Sequence, residues 1–274
     1  MFLIRDGHHL RFDLAPIWQS LRPFVTMNEV SLDALCLTTA GQGLSDVTCD
    51  ERGNRSMDPR LVSIIDWIKE IIGPKRSALV PVSGGSDSAL CFWLCEYALP
   101  GRAVAVYIGD ALPHRDWFEA IGTVQLLPVI AGHGESDTLR WAATISHAHT
   151  LRARLMGSRN RTEDVLGTYS LPSRVVSYLP LAGLWKSDVM ELCKVIGVPN
   201  EILESSRKAD PACGRPVELA EISFADVDRF LQVCIGERPM SDLSALSAGQ
   251  CTYLDSIYMR NLYKAKLPMR GPRC

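Results

Sequence analysis

Apolar residues recur at intervals of three and four from Leu61 through Ile64, Ile65, Ile68, Ile71 and Ile72, the stripe of an amphipathic helix. Asp58-Pro59 marks its start, with a carboxylate to cap the first free N–H groups and proline at the first helical position; Gly73-Pro74 ends it. Ser77 to Val82 is a short apolar run suited to a buried strand. The turn Ser83-Gly84-Gly85-Ser86 follows, then a helix of small and apolar residues from Asp87 to Ala98. A second buried strand is expected at Ala103 to Ile108, another near Gln125 to Ile130, and one at Ala153 to Met156, with a helix over Thr138 to His149 between the last two. Strands alternating with helices predict an α/β fold whose doubly wound parallel sheet is covered by helices on both faces. Beyond Asp188 the pattern is helical. One helix runs to Val195 and stops at Gly197-Val198-Pro199; the next is Ser223 to Cys234, opened by the capping pattern Ser223-x-x-Asp226; one or two more lie in Ser241 to Lys264.

Residues 1–57 read differently. Phe2-Leu3-Ile4 and Leu10 to Leu14 fit two short strands joined through Asp6-Gly7, and Thr39 to Met57 has the composition of a loop. We treat 1–57 as an N-terminal extension without a functional signal and 58–274 as the main domain.

Composition narrows the class. With 47% apolar and 22% charged residues, a chain of 274 can bury a core without disulfides or a structural metal. Twenty-nine basic against thirty-one acidic residues exclude a strongly basic footprint for nucleic acid over the whole molecule. No apolar run approaches the roughly 18–20 residues of a membrane span, and the N-terminus has no basic-then-apolar signal segment. A soluble cytoplasmic domain is expected. The nine cysteines are scattered, without a Cys-x-x-Cys pair, and the six histidines lack ligand spacing, so no metal held by Cys or His is expected.

Chemistry concentrates in Val82-Ser83-Gly84-Gly85-Ser86-Asp87-Ser88, between a buried strand and a helix. Two glycines in such a turn let backbone N–H groups approach a phosphate at the positive end of the helix dipole, and the serines add hydroxyl donors. Asp87 is out of place beside phosphate unless a cation lies between them, which points to Mg²⁺ with a nucleotide. No lysine follows the glycines, so this is not the Gly-x-x-x-x-Gly-Lys-Ser/Thr loop. The plain alternative is a serine- and glycine-rich turn capped by Asp87.

Ser83-Gly84-Gly85-Ser86-Asp87-Ser88 resembles the signature loop of the ATP pyrophosphatases, and within that group the chain is similar to the ammonia-dependent NAD synthases from about Asp58 onward. Gly157-Ser158-Arg159-Asn160-Arg161-Thr162-Glu163 is similar to the family's Gly-Thr-Gly-Asn-x-Ser-Glu. Leu179-Pro180 to Trp185-Lys186 matches its proline-to-lysine segment, and Ala209-Asp210 its Ser-Ala-Asp. Ile222-Ser223-Phe224-x-x-Val227-Asp228 parallels Ile-Ser-Tyr-x-x-Ile-Asp, and Tyr263-Lys264 its basic tail. The resemblance implies an adenine-nucleotide fold using ATP and Mg²⁺. Ser83, Gly84, Gly85, Ser86 and Ser88 would hold pyrophosphate with Ser158 and Lys208; Asp87 and Glu163 would hold the metal. Lys186, with Asp87, would be catalytic, neutralising charge on the phosphates. Arg140 and Arg174 would meet the substrate. The reaction implied is adenylation of a carboxylate on deamido-NAD or a relative, followed by displacement of AMP by ammonia, free or from a separate glutaminase. A homodimer is implied as well.

The sequence departs from the family on the acceptor side. Where the family has a Gly-Asp-Gly-Gly-Ala-Asp-like run, this chain has Pro172-Ser173-Arg174-Val175-Val176-Ser177, and Arg159 and Lys208 replace a glycine and a hydroxyl residue. These changes point to an acceptor more anionic than deamido-NAD, or of different shape. An alternative therefore stands beside the first reading: an adenylating enzyme with another acceptor, transferring sulfur through Cys213 or modifying a nucleotide or RNA. A third reading, a catalytically dead nucleotide-binding module, is opposed by the joint presence of Asp87, Glu163 and Lys186.

Overall fold

A computed structural model describes residues 3–6, 9–12, 57–129, 137–208 and 216–268. The chain divides into two units, residues 1–43 and 44–274. In the first, β1 (Leu3–Asp6) and β2 (His9–Phe12) pair antiparallel, Leu3 opposite Phe12 and Asp6 opposite His9. Of the expected turn Asp6-Gly7, Asp6 ends β1; Gly7, residues 39–56 of the loop expected over Thr39 to Met57, Ala209-Asp210 and Cys213 lie outside the described residues.

The second unit opens with α1 (Pro59–Ile72), capped as its sequence implies: the Asp58 carboxylate accepts from the Arg60 N–H at 2.8 Å. Leu61, Ile65, Ile68 and Ile72 form its buried stripe. Then come β3 (Ala78–Pro81), α2 (Ser86–Ala98), β4 (Ala103–Ile108), α3 (Arg115–Ile121), β5 (Thr123–Leu127), α4 (Asp137–Thr150) and β6 (Arg154–Leu155). The four strands form one parallel sheet in the order β5-β4-β3-β6. The chain steps outward from β3 through β4 to β5, then crosses back to place β6 on the far side of β3. A direction change of this kind opens a crevice at the carboxyl ends of the two strands flanking it.

Both faces of the sheet are covered, as the uninterrupted apolar runs require. Alternate residues of β3 serve different layers: Ala78 and Val80 join the large core containing α1 and α2, while Leu79 packs with Val106 and Ala148 of α4 on the other face. The remaining helices are α5 (Arg161–Leu166), α6 (Lys186–Val195), α7 (Asn200–Arg207), α8 (Val217–Ala220), α9 (Phe224–Cys234) and α10 (Ala248–Asn261). α6 and α7 bury residues in the large core. α8, α9 and α10 surround a second core that includes Leu219, Val227, Phe230, Leu231 and Leu254. Among the described residues no helix is long and apolar enough to cross a membrane.

Gly84 is required where β3 hands over to α2. Its φ is +85°, and a Cβ there would lie 2.8 Å from Pro113 Cβ. Gly84→Ala is expected to cost about 1–3 kcal/mol, from the left-handed backbone and the crowding together, measured by urea unfolding against wild type.

Candidate active site

The two loops at the direction change carry the sequence-predicted residues. After β3, Ser83 to Ser88 folds on itself: Ser88 Oγ donates to the Gly85 carbonyl at 2.9 Å and accepts from the Ser83 N–H at 3.2 Å. The Ser86 N–H donates to Ser206 Oγ of α7 at 3.0 Å. After β6, Asn160 caps α5, its carbonyl oxygen accepting from the Glu163 N–H at 3.0 Å while Glu163 Oε2 accepts from the Asn160 N–H at 3.3 Å. The reciprocal pair satisfies two helix-end donors at once. It also leaves the Asn160 amide free to donate to Asp87 Oδ1 at 2.8 Å, tying the second loop to the first.

Lys186, first residue of α6, enters from the side. Its residue is only 7% exposed, and its ammonium donates to Ser86 Oγ at 2.8 Å and pairs with Asp87 Oδ2. These groups border a cavity of about 400 Å³, within the size range of small-molecule sites. Ser83, Gly84, Gly85, Asp87, Ser88, Ser158, Glu163, Lys186 and Lys208 all line it, so nine of the expected positions meet at one place. Ser86 is fully buried, its hydroxyl turned to Lys186.

Burial, and secondarily the Asp87 charge, push Glu163 up to about 7; Lys186, the Asn160 N–H and Arg159 offset part of this. Burial likewise raises the Cys193 thiol to about 12, with Asp87 adding to the rise and Lys186 opposing it. Cys193 is a fully buried core thiol under the turn, its Sγ 3.4 Å from the Ser86 carbonyl.

Two expected substrate residues lie elsewhere. Arg140 pairs along its own helix with Asp137 at 3.4 Å and does not line the cavity. Arg174 gives its donors to the Tyr169 hydroxyl at 3.1 Å and to the carbonyls of Lys264 and Leu267 at 2.6 and 2.8 Å. Lys264 returns the contact, donating to the carbonyls of Gly167 and Tyr169 at 2.6 and 2.8 Å. Arg174 therefore clasps the C-terminal segment and does not line this cavity. Arg159 stacks on the Tyr169 ring at 4.0 Å and pairs with Asp164 at 3.1 Å.

Sequence reasoning missed several contributors. Pro113 and His114 line one edge, His114 with a φ of 56°, rare for a residue with a side chain. Ser205 and Ser206 come from α7, a helix not anticipated, and Leu219, Phe224 and Val227 form an apolar wall. Asn160 stood in a recognised motif, but its cross-link to Asp87 carries no sequence signal.

A parallel sheet with a Ser-Gly-Gly-Ser turn, a carboxylate pair and a buried lysine at its direction change defines a nucleotide-handling α/β site. The NAD synthase family model matches residues 128–268, just over half of the sequence, and the chain belongs to that family. It is 27% identical over 241 residues to an NH(3)-dependent NAD(+) synthetase of Methanosarcina mazei, covering 75% of this chain and 94% of the relative. With the Archaeoglobus fulgidus protein of the same description it shares 26% over 200 residues, 62% of this chain and 81% of that one. Among solved structures, NMN synthetase from Francisella tularensis aligns with a TM-score of 0.62 at 20% identity, over 80% of this chain and all of that one. An NH3-dependent NAD synthetase from Campylobacter jejuni aligns at 0.61 and 16% identity, over 79% and 100%. These two likenesses establish the fold.

Glu163 makes stability depend on pH in a defined direction. Its folded value lies above its ordinary 4.5, so the folded state binds the extra proton and stability falls as pH rises from about 4.5 through about 7. Glu163→Gln keeps a capping acceptor and removes the charge. In the absence of divalent cations it should raise the melting midpoint at pH 8 and leave it near wild type at pH 4.5, measured by calorimetry.

Proposed function

We propose that this chain is an ATP-dependent amide ligase that forms AMP and pyrophosphate, acting on deamido-NAD or a closely related carboxylate with ammonia as nitrogen donor. The observation that carries the reading is the linked set Lys186–Asp87–Asn160–Glu163 beside the serine–glycine turn, at the carboxyl ends of β3 and β6. In the first step the acceptor carboxylate attacks the α-phosphorus of ATP, the bond to the bridging oxygen breaks, and pyrophosphate leaves. In the second, ammonia attacks the acyl carbon and AMP departs.

This chain's residues supply binding and charge. The turn from Ser83 to Ser88 presents N–H and hydroxyl donors to pyrophosphate, aided by Ser158 and Lys208. Lys186 would exchange its contact with Asp87 for the charge that builds on the phosphates as the bond breaks, a preorganised form of stabilisation. The donor set fits a hard cation: two carboxylates lie close enough that one raises the proton affinity of the other. Asp87 and Glu163 would hold Mg²⁺, which neutralises phosphate oxygens when bound. Residues 58–274 would form the ligase body and work as a homodimer.

A different acceptor keeps one specific observation in its favour: the segment 172–177 lacks the family's carboxylates, and its arginine is spent on the C-terminal clasp. ATP–pyrophosphate exchange separates the two versions, because it reports adenylation without requiring the nucleophile. Exchange dependent on deamido-NAD is expected, with Lys186→Ala lowering it about 10²–10³-fold, the usual loss for a transition-state charge partner. Exchange supported only by other carboxylates would move the acceptor; exchange with none, or indifference to Lys186→Ala, would remove the ligase reading.

A further inference from the structure

α6 begins with a cation, although the unpaired N–H groups of a helix N-terminus disfavour positive charge. Besides the pairing with Asp87 and the first-turn Asp188, which accepts from the Trp185 N–H at 3.0 Å, further compensation comes from a residue outside the cavity. Asp228 on α9 is 2% exposed, and both its oxygens are engaged: Oδ2 accepts from the Ser187 N–H at 2.8 Å, and Oδ1 from the Thr162 hydroxyl. That hydroxyl accepts in turn from the Lys186 N–H at 2.8 Å. Two first-turn donors of α6 are therefore held, one directly and one through Thr162, by a single buried carboxylate. Thr162 precedes Glu163 in the first turn of α5, so the same carboxylate fixes the element that carries Glu163. Neither oxygen of Asp228 reaches the cavity, and the residue does not line it.

We infer that Asp228 is the positioning residue of the site, setting Lys186 and Glu163 against the Ser83–Ser88 turn by clamping the N-terminal turns of α5 and α6 through one carboxylate. The inference rests on the proposed function and adds a residue that acts without touching substrate. Asp228→Asn would keep the acceptor for the Ser187 N–H but turn an NH₂ group toward Thr162 Oγ, reversing that bond and removing the charge that strengthens both sides of the clamp. Thr162→Val would remove both the bond to Asp228 Oδ1 and the acceptor of the Lys186 N–H, leaving only the Ser187 contact of the clamp.

The test pairs two measurements on Asp228→Asn, Thr162→Val and the double variant, each referred to folded protein by its melting curve. In ATP–pyrophosphate exchange with deamido-NAD, each single variant should lower kcat about 10–100-fold with an ATP KM within about threefold of wild type, as expected when reacting groups are misplaced by a fraction of an ångström. The double variant should cost no more than the worse single one, because both cut the same chain. A role confined to folding would lower the melting midpoint and leave turnover per folded molecule unchanged, and that result, or additive losses, would overturn the inference. The second measurement is calorimetric binding of inorganic pyrophosphate, which requires no acceptor. Asp228→Asn should bind it about tenfold more weakly, one misplaced charge contact being worth on the order of a factor of ten; equal affinity overturns the inference. Wild type that binds pyrophosphate but shows no exchange would instead count against the ligase reading alone.

Discussion

A lysine ammonium held nearly out of water is the constraint to which the rest of the site answers. Lys186 sits at the start of a helix, 7% exposed, in a place where neither solvent nor the helix dipole favours it. Asp87 on the facing turn supplies the opposite charge, Ser86 supplies an acceptor, and the Phe224 ring lies 5.4 Å from the ammonium. Replacing such a pair by apolar residues is often neutral or stabilising, whereas removing one partner is strongly destabilising. Its retention is therefore better explained by what the charges do than by what they hold together. The backbone around it agrees: the left-handed Gly84, the fully engaged Asn160 and the trans cap on α6 all determine where two charges stand.

Much of the sheet was legible because parallel strands buried on both faces leave unbroken apolar runs. β4 falls where the Ala103–Ile108 run predicts it, and α1 and α9 carry the caps that Asp58 and Ser223 announce. β5 lies two to three residues earlier than expected, because its apolar character continues past the last ladder pair. Short helices escaped notice. α3, α5, α7 and α8 have four to eight residues, too few turns for a periodic stripe to emerge. α6 begins two residues before the predicted start because its leading N–H groups are capped from residues 24 and 41 positions away, which no local pattern encodes.

The site shows the same division. Residues carried by the turn and strand-end motifs converge on the cavity, since each motif is a short stretch whose backbone fixes its own direction. Arg140 and Arg174 were inferred from alignment position alone, and side chains of that length go where acceptors are. Arg174 found two carbonyls of the C-terminal segment; Arg140 found a carboxylate on its own helix. With no carboxylate in 172–177, Arg174 has no acidic partner within its own segment and bonds to backbone carbonyls instead.

The two walls of the cavity belong to different hydrophobic interiors. Gly84 and Ser88 stand on the sheet, whose packing includes Val82 and Ala89, whereas Leu166, Leu219 and Val227 belong to the smaller helical nucleus. The Asp228 carboxylate joins them: its own helix is rooted in the smaller nucleus, and it grips α6, whose Val189 and Leu192 pack into the larger one.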